Sequence, residues 1–97
     1  MTRTIRVLEA AAEEAAEAAA WYEQERPGPG AKFQEAVDAA LDLMEEQGVP
    51  FTAIPGAAGG RGAKRLMLKR FPYAIVVREH TSEVVVIAVA HHSRRPG

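Results

Sequence analysis

The sequence contains no cysteine among its 97 residues. A disulfide framework, a thiolate nucleophile and a cysteine-ligated metal site are therefore excluded. Long apolar runs are also scarce, because the longest strongly apolar stretch, residues 84–90, is far too short to span a bilayer. Residues 1–6 lack the apolar core of a signal peptide. We therefore expect a soluble cytoplasmic protein with no membrane partner and no cofactor.

The net charge of −1 conceals two oppositely charged halves. Residues 1–60 carry four cations and eleven acids, a balance of 4 − 11 = −7, whereas residues 61–97 carry eight cations and two acids, a balance of 8 − 2 = +6. Such asymmetry indicates a basic surface for an anionic partner, either nucleic acid or an acidic protein segment. The alternative is that acidic helices merely balance a basic sheet within one domain.

Two segments rich in alanine and glutamate predict an antiparallel helical hairpin. They span residues 9–26 and about 31–47, with apolar residues at three- and four-residue spacing opposite acidic ones. Residues 27–30, Pro-Gly-Pro-Gly, separate the helices because proline removes a backbone donor and glycine permits left-handed turns. The predicted core stripes are Ala11, Ala15, Ala18, Ala19 and Tyr22 on the first helix, and Phe33, Val37, Ala40, Leu41 and Met44 on the second.

Short alternating or apolar segments predict four strands. Residues 4–8 precede the hairpin, while residues 64–70, 73–78 and 83–91 follow it as a three-stranded antiparallel meander. Residues 49–62 are predicted to be a loop, since they are rich in proline and glycine. The last strand is apolar on both faces, which predicts a central strand covered on each side. The order predicts a single α+β domain, residues 1–97, with the helix pair on one face of the sheet.

Two segments near the C-terminus carry a more specific signal. Residues 65–75 read RLMLKRFPYAI, a basic strand that leads through a Phe-Pro-Tyr corner into an apolar strand. Residues 87–97 read IAVAHHSRRPG, an apolar strand that ends in Val-Ala-His and is followed by Arg-Arg-Pro. With the outline of strand, helical hairpin and meander, these segments resemble the RelE/ParE family of type II toxin–antitoxin systems. The outline covers nearly the whole chain, and the motifs cover its last third.

The resemblance implies a growth-inhibiting toxin that is neutralised by an antitoxin encoded beside it, in a toxin–antitoxin hetero-oligomer. RelE-like members cut messenger RNA, usually on the ribosome, whereas ParE-like members bind DNA gyrase and are not nucleases. The ending of this chain and its two long helices look more like the ParE-like, plasmid-stabilisation branch. We therefore expect a gyrase inhibitor. A RelE-like mRNA endonuclease and a degenerate member that only binds its antitoxin stay open as alternatives.

Metal-free RNA cleavage requires a base for the 2′-hydroxyl, an acid for the leaving oxygen and cations around the phosphate. For the ribonuclease alternative, the catalytic candidates are Arg65, His91, His92 and Arg94. Adjacent histidines in a strand point to opposite faces, so we predict no metal site at His91 and His92. Packing at the end of the strand is the other role open to them. The tail ends in Pro96 and Gly97, which offers no terminal tyrosine to stack on a base.

The exposed face of the basic meander is the predicted partner-binding surface. On an alternating strand Arg65 points away from Leu66 and Leu68, which face the helices, and Lys69 shares its side. The predicted contacts are Arg65, Lys69, Arg78, Arg94 and Arg95. An acidic antitoxin segment is expected to cover this face by adding a helix, a strand or both. Simple solvation of an exposed strand face is the alternative.

Overall fold

The computed structural model describes residues 3–47, 51–53 and 62–91. The elements in chain order are β1 (Thr4–Val7), α1 (Glu9–Glu25), α2 (Pro29–Gln47), β2 (Thr52–Ala53), β3 (Lys64–Met67), β4 (Tyr73–Glu79) and β5 (Glu83–His91). The predicted α+β order of a first strand, a helical hairpin and a closing meander is confirmed. The structure adds one short strand, β2, within the segment that was predicted to be a loop.

The helical hairpin forms because alanine and glutamate stabilise both helices and the link between them cannot be helical. The chain leaves α1 at Arg26 in an extended conformation, and Gly28 has a positive φ of 114°. α2 begins at Pro29, two residues before its predicted start, because the fixed φ of proline suits the first turn of a helix. The three buried residues of α1 are alanines of the predicted stripe, which lets the two helices approach closely.

The five strands form one mixed sheet in the order β1-β5-β4-β3-β2. The antiparallel meander of β3, β4 and β5 is confirmed. β1 pairs in parallel with β5, with Thr4 opposite Glu83 and Val7 opposite Val86. β2 pairs with β3 through Thr52, which lies opposite Arg65 and whose hydroxyl donates to the Arg65 carbonyl at 3.2 Å. The prediction that residues 49–62 form a loop was therefore wrong at Thr52 and Ala53, which form β2.

The hydrophobic core lies between the helical hairpin and one face of the sheet. Its largest fully buried side chains are Phe33, Met44, Ile75, Val77, Val84 and Val86. The described helices cover this face of β5, as predicted, and cover of its other face stays a prediction. No helix within the described ranges is long and apolar enough to cross a membrane.

A β-bulge interrupts the pairing of β4 with β5. Val76 lies opposite Ala88, but Val77 lies opposite Val86, so Ile87 has no partner residue on β4. The extra residue shifts the alternation of side chains on β5 by one position. Val84 and Val86 face the helices before the bulge, and Val89 and His91 face them after it.

Candidate partner-binding surfaces

The sheet face that points away from the helices carries three arginines. Arg6 of β1 and Arg78 of β4 lie on either side of Val85 of β5, and Arg65 of β3 lies one row further along the sheet. We call this surface the open face: it comprises Thr4, Arg6, Thr52, Arg65, Met67, Ala74, Val76, Arg78, Glu83, Val85, Ala88 and Ala90. The orientation expected for Arg65 from strand alternation is thus observed, while its role stays a prediction.

Arg65 lies half-buried on the open face, next to Val76 of β4 and in the same row as Ala88 of β5. Its Nε atom is buried and lacks a hydrogen-bond partner, and no other buried side-chain nitrogen or oxygen in the described part of the chain is in that state. A buried donor without an acceptor costs about 1–3 kcal/mol. An acceptor brought by a partner would remove that cost, provided that the guanidinium group moved slightly to meet it.

The open face is net positive. Arg6 donates to Glu83 at 3.3 Å, a long contact between two partly exposed side chains. Arg78 is exposed, and within residues 3–47, 51–53 and 62–91 it makes no ion pair. Three arginines against one glutamate give 3 − 1 = +2, which suits an anionic partner.

His91 lies on the opposite side of the sheet from Arg65. It is paired with Tyr73 of β4, and the two rings meet edge to face with centroids 5.1 Å apart. Tyr73 in turn contacts Phe33 of α2, which places His91 at the margin of the helix-covered core. The two described catalytic candidates are therefore not brought together, because the bulge at Ile87 turns His91 to the helical side. The remaining candidates, His92, Arg94 and Arg95, lie outside the described residues.

Glu79, at the end of β4, is held in a structural ion-pair cluster. Its Oε1 accepts from Lys64 and its Oε2 accepts from Arg3, each at 2.9 Å. The hydrogen bond from Lys64 and then the one from Arg3 hold the pKa of Glu79 below its ordinary value, against an opposing effect of burial. A carboxylate so stabilised in its charged form is a poor proton donor near neutral pH. No three potential metal-ligating side chains are grouped within the described ranges.

The Phe-Pro-Tyr corner is anchored on the aromatic side chains of the hairpin. Phe71 meets Tyr22 and Phe33 edge to face, each with ring centroids 5.2 Å apart. Tyr73 packs against Phe33 at 5.0 Å. These contacts fix the turn after β3 against α1 and α2, and so they set the position of the cations that immediately precede Phe71.

β3 ends at Met67, before Lys69, so strand alternation does not extend to Lys69, and its place beside Arg65 stays a prediction. Lys69 lines a groove of about 730 Å³ between α2 and β3, which we call the α2/β3 groove. Its apolar walls include Ala36, Ala39 and Leu43 from α2, and Leu66, Leu68 and Phe71 from β3 and the following turn.

The α2/β3 groove was missed from the sequence although part of its signal was present. Lys32, Ala36, Ala39 and Leu43 recur at four-, three- and four-residue spacing, which forms a second stripe beside the core stripe of α2. Two of these four residues are alanines, so the pattern resembles an ordinary surface. Its meaning depends on where β3 runs, and helical periodicity contains no information about that.

Solved structures with the same fold come from bacterial toxin–antitoxin systems. A chain of the chromosomal ParDE system from P. aeruginosa is 14% identical to this one, with 93% of this chain and 96% of that chain covered and a TM-score of 0.76. A chain of the toxin–antitoxin complex RelBE2 from Mycobacterium tuberculosis is 18% identical, with 97% and 95% covered and a TM-score of 0.62. No family model matches the sequence, and no curated protein matches it as a relative.

Proposed function

We propose that this chain, which has the RelE/ParE-like fold, is the toxin of a bacterial type II toxin–antitoxin pair and inhibits growth in the cytoplasm by binding DNA gyrase. The fold supports the general assignment, since both similar structures come from toxin–antitoxin systems and nearly the whole of each chain is aligned. The ParE-like choice is supported by the organisation of the sheet.

Binding is favoured over RNA cleavage because His91 and Glu79 are separated from Arg65 in the described structure. Arg65 lies on the open face, whereas His91 packs against Tyr73 on the helical side. Glu79 is neutralised by Arg3 and Lys64. General acid–base catalysis requires the proton-transferring group within hydrogen-bond reach of the reacting atoms. A surface with three arginines and one glutamate, and so a net charge of +2, is suited to holding an anionic partner.

The open face is the proposed contact with the target. Arg65 and Arg78 project from a floor built of small and β-branched side chains, among them Ala74 and Ala88. Such a floor lets another protein backbone or a nucleic acid approach the guanidinium groups closely. Arginine is suited to this role because its planar donors pair with carboxylate or phosphate in a bidentate manner.

A RelE-like mRNA endonuclease is the second candidate. It is favoured by the similarity to RelBE2 and by the unsatisfied Nε of Arg65, since a phosphate oxygen is a strong acceptor for that donor. In this alternative Arg65 binds the scissile phosphate, and the acid and base come from other groups.

The decisive experiment expresses the chain from a tightly controlled promoter and measures growth, plasmid supercoiling and mRNA integrity in the same culture. We expect growth arrest with relaxed plasmid and intact mRNA, and purified protein should inhibit supercoiling by gyrase in vitro. Arg65→Ala should reduce inhibition at least tenfold. Arg26→Ala, which removes an exposed arginine at the end of α1, is the matched control and should have no effect.

Other outcomes of that experiment separate the alternatives. Codon-linked mRNA cuts with normal supercoiling would replace the gyrase proposal by the endonuclease. Normal growth at high expression would contradict a toxin of either kind and favour a protein that only binds an antitoxin. Co-expression with the product of the adjacent small open reading frame should restore growth and yield a stable hetero-oligomer.

A further inference from the structure

α1 carries an exposed tryptophan on its outer surface. Trp21 exposes 50% of its surface, whereas the three buried residues of α1 are alanines. Glu17 and Glu25 are also exposed, and they lie four residues before and four residues after it. Residues four apart are neighbours on one side of a helix, about 6 Å apart along its axis. α1 therefore presents an aromatic ring between two carboxylates.

The charge on this side of α1 is of one sign. Residues 9–25 contain six acids and no lysine or arginine. Glu9, Glu13 and Glu17 follow one another at four-residue spacing, at which like charges destabilise a helix. None of these three carboxylates is in an ion pair within the described ranges. A cationic surface placed against this side of α1 would relieve their repulsion and cover the exposed tryptophan.

The open face carries a matching pair of side chains on β3. Met67 exposes 39% of its surface and lies two residues from Arg65, which is about 6.6 Å along an extended strand. It is paired with Ala74 of β4, whose small side chain leaves room beside it. A thioether packs favourably against an aromatic ring. The separation of this cation and thioether is close to that of Glu17 and Trp21 on α1.

We propose that the Trp21 side of α1 in one copy docks on the open face of a second copy, so that the protein self-associates head to tail. Trp21 packs on Met67 in this contact. Glu17 accepts from the guanidinium group of Arg65, whose Nε lacks an acceptor within the described chain. The inference rests on the proposed function in one respect: the contact covers the surface assigned to the target, so self-association limits inhibition.

The two surfaces cannot meet within one chain. α1 packs on the covered side of the sheet, so Trp21 and the open face point in opposite directions. For the same reason two copies cannot exchange both contacts, and each added copy leaves one surface of each kind unused. The net charge of −1 opposes association only weakly. One helix face is small beside the roughly 1,200–2,000 Å² of a stable interface, so association should be weak and concentration-dependent.

Sedimentation velocity of the full chain tests the contact. The mean mass should rise with concentration beyond that of two copies, and added salt should lower it. Because Trp21 is the only tryptophan, its emission should shift to shorter wavelength as the copies associate. Glu17→Arg should weaken self-association at least tenfold. Asp42→Arg makes the same charge change at an exposed position of α2, and this matched control should leave self-association unchanged.

Mixing two blocked chains tests the head-to-tail order. Glu17→Arg with Trp21→Ala removes the helix surface, and Arg65→Glu with Met67→Ser removes the sheet surface. Each double variant should be monomeric alone, with circular dichroism verifying that it is folded. An equal mixture should form pairs that grow no further, because each pair ends in two blocked surfaces.

Three results would overturn the inference. The first is a wild-type chain that stays monomeric at every concentration, which would leave the open face to another protein. The second is a wild-type chain that stops at a closed dimer. The third is a mixture of the blocked chains that stays monomeric although both are folded.

The growth assay keeps this inference separable from the proposed function. Trp21→Ala should arrest growth at least as strongly as wild type, because it frees the open face without altering it, and weaker arrest by the folded variant would overturn the proposed competition. Self-association of a chain that never arrests growth supports the contact and contradicts the toxin proposal. Growth arrest by a chain that is always monomeric leaves the toxin proposal standing and removes the contact.

Discussion

Glu23, near the end of α1, accepts a hydrogen bond of 2.6 Å from the backbone N–H of Gly30 in the first turn of α2. The same carboxylate accepts from the N–H of Gly28 at 3.0 Å. The first N–H groups of a helix have no partners within the helix, so one side chain of α1 satisfies donors at the start of α2. This contact joins α1 to α2, the helix that forms one wall of the α2/β3 groove.

Gly30→Ala should destabilise the protein by about 2 kcal/mol, the range expected for overpacking. An added Cβ would lie 2.5 Å from the carbonyl oxygen of Ala19 and still closer to the Cγ of Glu23. Alanine is favoured over glycine within a helix by only about 1 kcal/mol. The clash should therefore outweigh helix propensity, as urea unfolding can measure.

Removing the side chain of Glu23 provides the control for Gly30→Ala. In a Glu23→Ala background, Gly30→Ala should lower the free energy of unfolding by less, because only the contact with the Ala19 carbonyl remains. The close approach of the two helices would be contradicted if the two substitutions changed the free energy of unfolding additively. A Gly30→Ala protein as stable as wild type would contradict it as well.

Glu14→Ala should lower stability by about 1 kcal/mol, because Glu14 accepts the backbone N–H of Val89 at 2.9 Å. β1 pairs with β5 only as far as Val86, so this N–H lies beyond the end of β1. For a chain of this size, 1 kcal/mol corresponds to a Tm decrease of about 4–8 °C. The Val89 amide should also exchange faster with solvent, whereas Glu13→Ala should change neither quantity.

Glu79→Gln should be less stable than wild type by about 1 kcal/mol near neutral pH, the scale of two partly exposed ion pairs. Folding lowers the pKa of Glu79 from its ordinary 4.5, foremost through the hydrogen bond from Lys64. The contribution of the Glu79 carboxylate to the free energy of unfolding is thus complete above pH 4.5. It is lost as the pH falls through the lowered pKa of Glu79 in the folded protein.

In urea unfolding from pH 7 down to pH 3, the free energies of unfolding of wild type and Glu79→Gln should converge at the acidic end. Glu83→Gln should have a smaller effect at neutral pH, because its contact with Arg6 is longer and more exposed. A Glu79→Gln difference that persists unchanged at the lowest pH would show that lost packing, rather than lost charge, is responsible.

His91→Phe should leave growth inhibition intact. Phenylalanine retains a ring to pack against Tyr73 while removing the only titratable group at that position. Arg65→Ala should reduce inhibition at least tenfold, as argued for the open face. Loss of toxicity in a folded His91→Phe protein, together with loss of mRNA cleavage, would favour the endonuclease and count against binding alone.

Periodicity was sufficient to predict the helical hairpin and its core. Phe33, Val37 and Met44 are buried as their spacing indicated, and the apolar run at the end of the chain became β5. Those predictions succeed because amphipathic spacing reflects burial within a single element. β2 was not predictable in the same way: it has two residues, too few for a period, and exists through its pairing with β3.

The candidate site depended on relations between strands, which were less predictable. Counting alternately from Val84 and Val86 without a bulge would place His91 on the same face as Arg65. The bulge at Ile87 reverses that assignment, and a run of valine, isoleucine and alanine contains no mark of where a bulge occurs. The prediction for Lys69 depended in a related way on where β3 ends, and that end depends on the turn at Phe71 rather than on composition.

The parallel pairing of β1 with β5 also bears on synthesis of the protein. Thr4 can pair in the sheet only after Glu83, 79 residues later in the chain, has been synthesised. At about 5–20 residues per second, a ribosome needs roughly 4–16 s to make that stretch. During this interval α1 and α2 can form while the surface they will cover does not yet exist. A nascent chain therefore has no assembled open face, and inhibitory activity should begin only after translation has passed β5.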